Sequence, residues 1–151
     1  DYACLAWGAL ELFQATGDVT WFEWTRDLAD RAIELFFDPA DGGWFAEDGR
    51  DPSVLLRLKE DYDGAEPAAA SVMVRVLIGL AHLTGERRYA DIAQRTFERY
   101  GPELGRVARV MPLMLGNLAR WHGPSSQAVI VGAPSEARQA LERAVAERYL
   151  P

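Results

Sequence analysis

Residues 58–86, with the sequence LKEDYDGAEPAAASVMVRVLIGLAHLTGE, join an acid-rich segment to a long apolar helix that ends in a Thr-Gly-Glu turn. The acid-rich part carries four carboxylates within seven residues, next to a lysine, a tyrosine and a glycine. Carboxylates before a helix N-terminus are stabilised by its positive end, and Asp63 is of a residue type that caps helices. Two interpretations stay open: a solvated acidic loop at a capped helix start, and the lining of a cleft for a polar substrate.

The turn at the end of this stretch has a counterpart 68 residues earlier in the chain, TGD at 16–18 against TGE at 84–86. Each turn separates a helix that is apolar on nearly every face from a helix with one apolar stripe. The apolar helices are predicted at 2–15, 67–83 and 107–121, and the amphipathic helices at 20–36 and 87–100. This is an internal repeat of a helical hairpin.

The alternation of helix types predicts an all-α protein with two concentric layers. Helices that are apolar all round are covered on both sides and form the inner layer, while amphipathic helices face solvent. Because one hairpin cannot bury its apolar side alone, copies stack side by side. The expected architecture is part of an α/α toroid at 1–122, with hairpins 1–37 and 67–101 and a third inner helix at 107–121. Pro112 either kinks this third helix or marks its first turn.

Two segments depart from the helical pattern. Within residues 38–62, the runs 44–46 and 54–56 flank Asp48-Gly49 and predict a small β-hairpin. After a linker at 123–126, the run QAVIV at 127–131 predicts a buried strand, followed by an amphipathic helix at 134–149. A lone strand must pair with something, elsewhere in the parent protein or in another chain.

Composition narrows the class of protein. The 151 residues carry a net charge of −7 without a basic cluster, which argues against nucleic acid and anionic membrane surfaces as partners. One cysteine, without zinc spacing or a second thiol, fits a reducing cytoplasm and predicts neither metal nor cofactor. Apolar runs are interrupted well before the ~18 residues of a membrane span. Since the chain begins at Asp1, inside a predicted helix, we expect a fragment of a longer protein.

Several motifs resemble the C-terminal region of the YyaL / spermatogenesis-associated thioredoxin-like family. They are DYA at 1–3, TGD at 16–18, FFDPADGGWF at 36–45, KEDYDGAEP at 59–67 with Ser71, and VIVG at 129–132. The resemblance covers essentially the whole chain and implies an (α/α)6 barrel of the six-hairpin glycosidase or N-acylglucosamine 2-epimerase type. Members also carry an N-terminal thioredoxin-like domain. Where the family has Ser, a small residue and Asn, this chain has Ala68, Ala69 and Ala70, so side-chain donors are missing at the inner helix mouth.

The acid-rich segment supplies the candidate catalytic residues. Cleavage of a glycosidic bond needs two carboxyl groups about 5–9.5 Å apart, and Asp63, Asp61 and Glu60 are the candidates. In an extended segment, alternation places Asp61 and Asp63 on one side and Glu60 and Tyr62 on the other. Aromatic and polar side chains that suit a sugar-binding cleft complete the predicted site. The candidate substrate-binding residues are Tyr62, Trp44, Phe45, Lys59, Glu66, Asp1 and Tyr2.

Three further residues, of types that often carry chemistry, are predicted to be structural. His82 and His122 lie near the C-terminal ends of predicted helices, away from the acid-rich segment, so a core or capping function is expected. Cys4 lies on an apolar helix and is expected to be an inert core residue.

Three hypotheses of function follow. The first is a carbohydrate-processing or carbohydrate-binding toroid, in which Tyr62, Asp63 and Trp44 converge on one pocket that takes a sugar or another polar small molecule. The second is a non-catalytic scaffold whose acids at 59–66 point to solvent. The third is an accessory region of a redox protein, with the chemistry in a thioredoxin-like part outside this chain. In each case the rest of the parent chain or another copy would complete the ring.

Overall fold

The computed structural model describes residues 1–147, and six α-helices lie within that range. The prediction of an all-α protein is confirmed. The helices are α1 (Tyr2–Thr16), α2 (Val19–Phe36), α3 (Ala69–Thr84), α4 (Arg87–Val107), α5 (Pro112–His122) and α6 (Glu136–Ala146).

Helix α3 is the centre of the molecule. It lies between α1 and α5 and packs against α4, while α2 packs mainly on α1. Every residue from 70 to 80 except Arg75 is buried, as the all-apolar sequence predicts. Burial of each large aliphatic side chain contributes about 1.5–3 kcal/mol, so this helix supplies much of the core. Helices α2 and α4 each bury one face, which agrees with their amphipathic sequences.

The two repeated turns have the same structure. Gly17 and Gly85 adopt the left-handed conformation, with φ of 70° and 71°. The hydroxyls of Thr16 and Thr84 each donate to the carbonyl four residues earlier, at 2.7 Å. Each hydroxyl also accepts a hydrogen bond from the backbone N–H two residues later. The repeat seen in the sequence is therefore also a repeat of local geometry.

Helix α1 is not buried on every face, contrary to the prediction. Ala3, Ala6, Ala9 and Leu10 are buried, but one face that includes Leu5 is exposed. Cys4 lies on this exposed face, so the expectation of a core cysteine is wrong. The reason is that α1 has α2 and α3 as packing partners in this part of the chain, whereas α3 is enclosed by helices on more sides.

The predicted β-hairpin at 44–46 and 54–56 is absent from the described residues, which contain a single isolated bridge between Phe37 and Trp44. The segment forms a series of turns instead. The carboxylates of Asp38, Asp41 and Asp48 each accept a hydrogen bond from the backbone N–H two residues later. These local bonds compete with strand pairing, which accounts for the difference.

The tail also differs from the prediction. Residues 127–131 form no strand, because no other strand lies within the described residues to pair with them. Helix α6 begins after Ser135, whose hydroxyl accepts a hydrogen bond from the N–H of Arg138 and caps the helix. The amphipathic pattern of this helix predicts that Leu141 and Val145 face inward, but both are exposed. The residues of the predicted helix beyond 147 lie outside the described part of the chain.

Two prolines lie within helices, one in the interior of α4 and one at the start of α5. Helix α4 continues past its predicted end at residue 100 and contains Pro102. Helix α5 begins at Pro112, which resolves the two alternatives in favour of a first-turn proline, a position where the missing N–H costs no helical hydrogen bond. Among residues 1–147, no helix combines the length and the apolar character needed to cross a bilayer.

Candidate functional site

Asp63 joins the acid-rich segment to two helices. Its Oδ1 accepts a hydrogen bond from the N–H of Ala68, at the start of α3, at 2.9 Å. Its Oδ2 accepts from the N–H groups of Leu113 and Met114 in the first turn of α5, at 2.9 and 3.3 Å. The backbone N–H of Asp63 donates to the carbonyl of Val110 at 2.8 Å. One buried carboxylate thus caps both α3 and α5, which favours a structural function for Asp63.

Next to this cap lies an open cleft of about 420 Å³. The Tyr62 side chain is 62% exposed, and Glu60, Asp61 and Glu66 are exposed around it. A Cβ added to Gly64 would lie 2.9 Å from the Tyr62 ring, so glycine here lets the ring lie against the backbone. The residues that line the cleft are Glu60, Asp61, Tyr62, Gly64, Glu66 and Pro67.

The side-chain alternation predicted for this segment is wrong. Glu60, Asp61 and Tyr62 all line the cleft, whereas Asp63 is turned inward and is 7% exposed. The three N–H donors at the helix starts hold the Asp63 carboxylate, and the segment is not a regular strand. The assignment of Asp63, Asp61 and Glu60 to catalysis stays a prediction.

Two of the four aromatic residues predicted to bind a sugar, Trp44 and Phe45, pack outside the cleft. Trp44 is buried, its ring lies 5.3 Å from that of Phe37, and its Nε1 donates to Thr96 on α4 at 3.0 Å. Phe45 lies beneath two cations, 3.9 Å from the Arg57 guanidinium and 4.5 Å from the Lys59 ammonium. The expected convergence of Tyr62, Asp63 and Trp44 is therefore not seen, since Tyr62 alone of the three lines the cleft.

Lys59 forms ion pairs that hold the segment between α2 and α3. Its ammonium lies 2.6 Å from Asp38 and 2.7 Å from Asp41, and Arg99 on α4 is 3.2 Å from Asp41. The hydrogen bond from Lys59 lowers the pKa of both aspartates. Burial by itself would lower the pKa of Lys59, but the two carboxylates raise it overall. Lys59 therefore contributes to the structure of the segment, and it does not line the cleft.

The other residues singled out from the sequence lie at helix ends, Asp1 and Tyr2 at the start of α1 and His82 and His122 in the last turns of α3 and α5. Asp1 and Tyr2 begin α1 at the end where α2 finishes, since the Tyr2 ring is 5.6 Å from Phe36. Neither contributes to the cleft lining. His82 and His122 are exposed in the last turns of α3 and α5, at the opposite end, so neither belongs to the core.

Two sets of polar contacts on α1, α3 and α5 were not predicted from the sequence. Asn117 on α5 is buried, and its Nδ2 donates to the carbonyl of Ser71 on α3 at 2.7 Å. The indole of Trp7 donates to Glu11 at 2.7 Å, and Arg75 lies 3.5 Å from Glu11. An asparagine and an arginine inside otherwise apolar helices were the signals that could have revealed these contacts. Within residues 1–147, no group of three His, Cys, Asp or Glu is placed to hold a metal ion.

Comparison with known proteins identifies relatives but no family model and no solved structure that match this chain. The chain is 36% identical over 155 aligned positions to spermatogenesis-associated protein 20 of Mus musculus, and the match covers all of this chain and 19% of that protein. The Homo sapiens protein of the same name is 33% identical, with all of this chain and 20% of that protein covered. An uncharacterized protein of Caenorhabditis elegans is 30% identical over 95% of this chain and 20% of its own length.

These matches run along the whole chain but cover only a fraction of each relative. The chain spans about a fifth of the length of the curated relatives that it matches. Identity above 30% over about 150 positions exceeds what a shared helical composition explains. The chain is homologous to a part of spermatogenesis-associated protein 20.

Proposed function

We propose that this chain is a carbohydrate-binding part of a larger cytoplasmic α/α barrel protein, with the cleft beside Tyr62 as the contact for the sugar. The observation that carries the proposal is the exposed Tyr62 ring surrounded by Glu60, Asp61 and Glu66 in an open cleft. An aromatic face suits the apolar face of a sugar ring, and carboxylates accept hydrogen bonds from its hydroxyls. The single cysteine suits the reducing cytoplasm.

The geometry favours binding over bond cleavage. Both oxygens of Asp63 already accept hydrogen bonds from backbone N–H groups, so this carboxylate is committed to the helix starts. The other three carboxylates of the segment are exposed at an open cleft, where water competes for every contact. A general acid or nucleophile is usually set in a more enclosed environment that shifts its pKa.

Sugar binding can be tested with a panel of neutral mono- and disaccharides, by thermal shift followed by calorimetry. A sugar that binds at the cleft is expected to bind about tenfold more weakly to Tyr62→Ala, equivalent to about 1.4 kcal/mol, because the stacking surface is removed. Trp24→Ala is the matched control, since Trp24 is an exposed aromatic residue on α2 outside the cleft. Equal weakening by both substitutions, or no response to any sugar in the panel, would contradict the proposal.

A second candidate is a non-catalytic interaction domain that binds a partner protein through the acidic rim of the cleft. The exposure of Glu60, Asp61 and Glu66 favours it, because solvated carboxylates attract basic surfaces at a distance. The two candidates differ in their response to salt. Binding of a neutral sugar is expected to be insensitive to ionic strength, whereas binding of a basic protein weakens as salt is added.

A further inference from the structure

A tryptophan, a glutamate and an arginine meet where α1 packs against α3, apart from the cleft beside Tyr62. Arg75 is the one residue from 70 to 80 that is not buried, and its guanidinium carbon lies 5.1 Å from the centre of the Trp7 ring. The Trp7 indole donates to Glu11 Oε1 at 2.7 Å, and an Arg75 nitrogen lies 3.5 Å from the same oxygen. We call these three residues the Trp7 cluster.

The internal repeat accounts for the position of this cluster. Trp7 and Arg75 are 68 residues apart, which is also the spacing of the TGD and TGE turns, so the two residues hold the same position in the two hairpins. Helices α1 and α3 pack against each other, and the tryptophan of one lies beside the arginine of the other. The repeat thus brings an aromatic ring and a guanidinium together in the middle of two packed helices.

The two charged groups of the Trp7 cluster keep hydrogen-bonding capacity for a ligand. Their separation of 3.5 Å exceeds the roughly 2.7–2.9 Å of a charge-assisted hydrogen bond, so the N–H donors of Arg75 are not held closely by Glu11. Among the described residues, both contacts of the Glu11 carboxylate fall on Oε1, which leaves Oε2 as an acceptor. The Arg75 side chain is 20% exposed and the Glu11 side chain 41%, so a ligand can reach both.

The surface of α1 next to Glu11 is open and apolar. Gly8 precedes Glu11 by three residues, a spacing that places the two on the same side of the helix. Apart from its chain neighbours and the local helix backbone, no atom lies within 4 Å of a Cβ built on Gly8. Cys4 and Leu12, each four residues from Gly8, are exposed on the same side. An apolar group of a ligand can therefore lie against the helix at Gly8.

We propose that the Trp7 cluster binds a free α-amino acid with a large apolar side chain. Such a ligand carries an ammonium and a carboxylate on one carbon, and the cluster offers the two opposite charges side by side. Glu11 accepts from the ammonium, and Arg75 binds the carboxylate through paired N–H donors. The apolar side chain lies over Gly8. A ligand with a single charge would face one like charge in the cluster, whereas a zwitterion is complementary to both.

Isothermal titration calorimetry of the intact protein tests the ligand class with three probes of similar shape. L-phenylalanine carries both charges, 3-phenylpropionate lacks the ammonium, and 2-phenylethylamine lacks the carboxylate. We expect L-phenylalanine to bind at least about tenfold more tightly than either analogue, because each analogue loses one charged hydrogen-bonding contact. Equal affinity of either analogue would overturn the proposal, since the site would then be one for a simple anion or cation. The absence of binding by both L-phenylalanine and L-leucine would overturn it as well.

Two charge-removing substitutions separate a ligand site from a purely structural ion pair. Glu11→Gln keeps an acceptor for the Trp7 indole, and it should weaken the binding of L-phenylalanine about tenfold without weakening that of 3-phenylpropionate. Arg75→Gln should weaken L-phenylalanine about tenfold without weakening 2-phenylethylamine. Arg87→Gln is the control, since Arg87 is exposed on α4, and it should change none of the three affinities. A substitution that changes all three affinities equally would contradict the assigned contacts.

A blocking variant tests the site without removing a charge. Gly8→Leu fills the open surface, and it is expected to fold well because glycine is unfavourable inside a helix. It should weaken the binding of L-phenylalanine at least about tenfold, whereas Gly116→Leu, at an equally open glycine of α5, should leave it unchanged. Full affinity in Gly8→Leu would overturn the proposal, even if Arg75→Gln does not fold. The cleft beside Tyr62 shares none of these residues, so failure here leaves the proposed function untouched.

Discussion

Asp63 connects three segments through a single buried carboxylate. Its residue type, just before an apolar helix, predicted a cap at the start of α3, and its oxygen does accept from Ala68. Its other oxygen accepts a hydrogen bond from the N–H of Leu113, which lies 50 residues further along the chain, at the start of α5. No local pattern links these positions, so this contact could not be predicted from the sequence. A residue first considered for catalysis therefore has a clear structural function.

Asp63→Asn is expected to lower the free energy of unfolding by about 1–3 kcal/mol, because an amide nitrogen would replace one of the two acceptor oxygens and leave buried N–H groups unpaired. Urea unfolding measures the change. Asp61→Asn is the control, since Asp61 is exposed and its substitution should change stability by less than about 0.5 kcal/mol. Equal effects of the two substitutions would show that Asp63 does not act as this cap.

Among the elements, the segment between α2 and α3 shows how side chains replace regular secondary structure. The β-hairpin predicted there needs backbone pairing, but aspartates bond the backbone locally and Lys59 joins two of them. The Asp-Pro and Asp-Gly pairs at 38–39, 41–42 and 48–49 are residue types typical of turns, and the segment does form turns and bends around them. The sequence did not predict that the Trp44 side chain is buried in the core and donates a hydrogen bond to Thr96 on α4.

The ion pairs of Lys59 make the stability of this segment dependent on pH. Asp38 and Asp41 have pKa values below the ordinary 3.8 in the folded protein, so the unfolded chain binds more protons in that range. Their contribution is full above about pH 5 and is lost as the pH falls through the lowered folded pKa values. In Lys59→Met the aspartates lose their partner, and the fall in stability between about pH 5 and pH 3 is expected to be shallower.

Urea unfolding at several pH values measures this dependence. Arg50→Met is the control, because Arg50 pairs with Asp48 at 3.6 Å on the surface and both side chains are substantially exposed. Its profile should run parallel to that of the unaltered protein. Parallel profiles for Lys59→Met as well would mean that the Lys59 pairs do not set the acid sensitivity.

Across the molecule as a whole, the two hairpins share a turn motif and a similar order of helices, but they lie in unequal environments. Leu12 and Leu80 occupy the same position in the repeat, yet Leu12 is 42% exposed and Leu80 is fully buried. Leu80→Ala is therefore expected to lower the free energy of unfolding by about 2–5 kcal/mol, through lost burial and a residual cavity.

Leu12→Ala serves as the matched substitution and should cost less than about 1 kcal/mol in the 151-residue chain, because exposed aliphatic groups contribute little. Urea unfolding of both variants gives the comparison. Similar small costs for both variants in the short chain would contradict the central position of α3.

The all-α class, the hairpin repeat, the left-handed glycine turns and the buried character of α3 could all be derived from the order of residues. These features depend on the period of apolar residues and on the conformational freedom of glycine, which are properties of neighbouring residues. Three other features became visible only in the folded chain. Asp63 accepts a hydrogen bond from the first turn of α5, the Trp44 side chain is buried in the core, and one face of α1 is exposed. Each of these depends on which distant backbone groups and side chains come within contact distance, and that is set only when the helices pack.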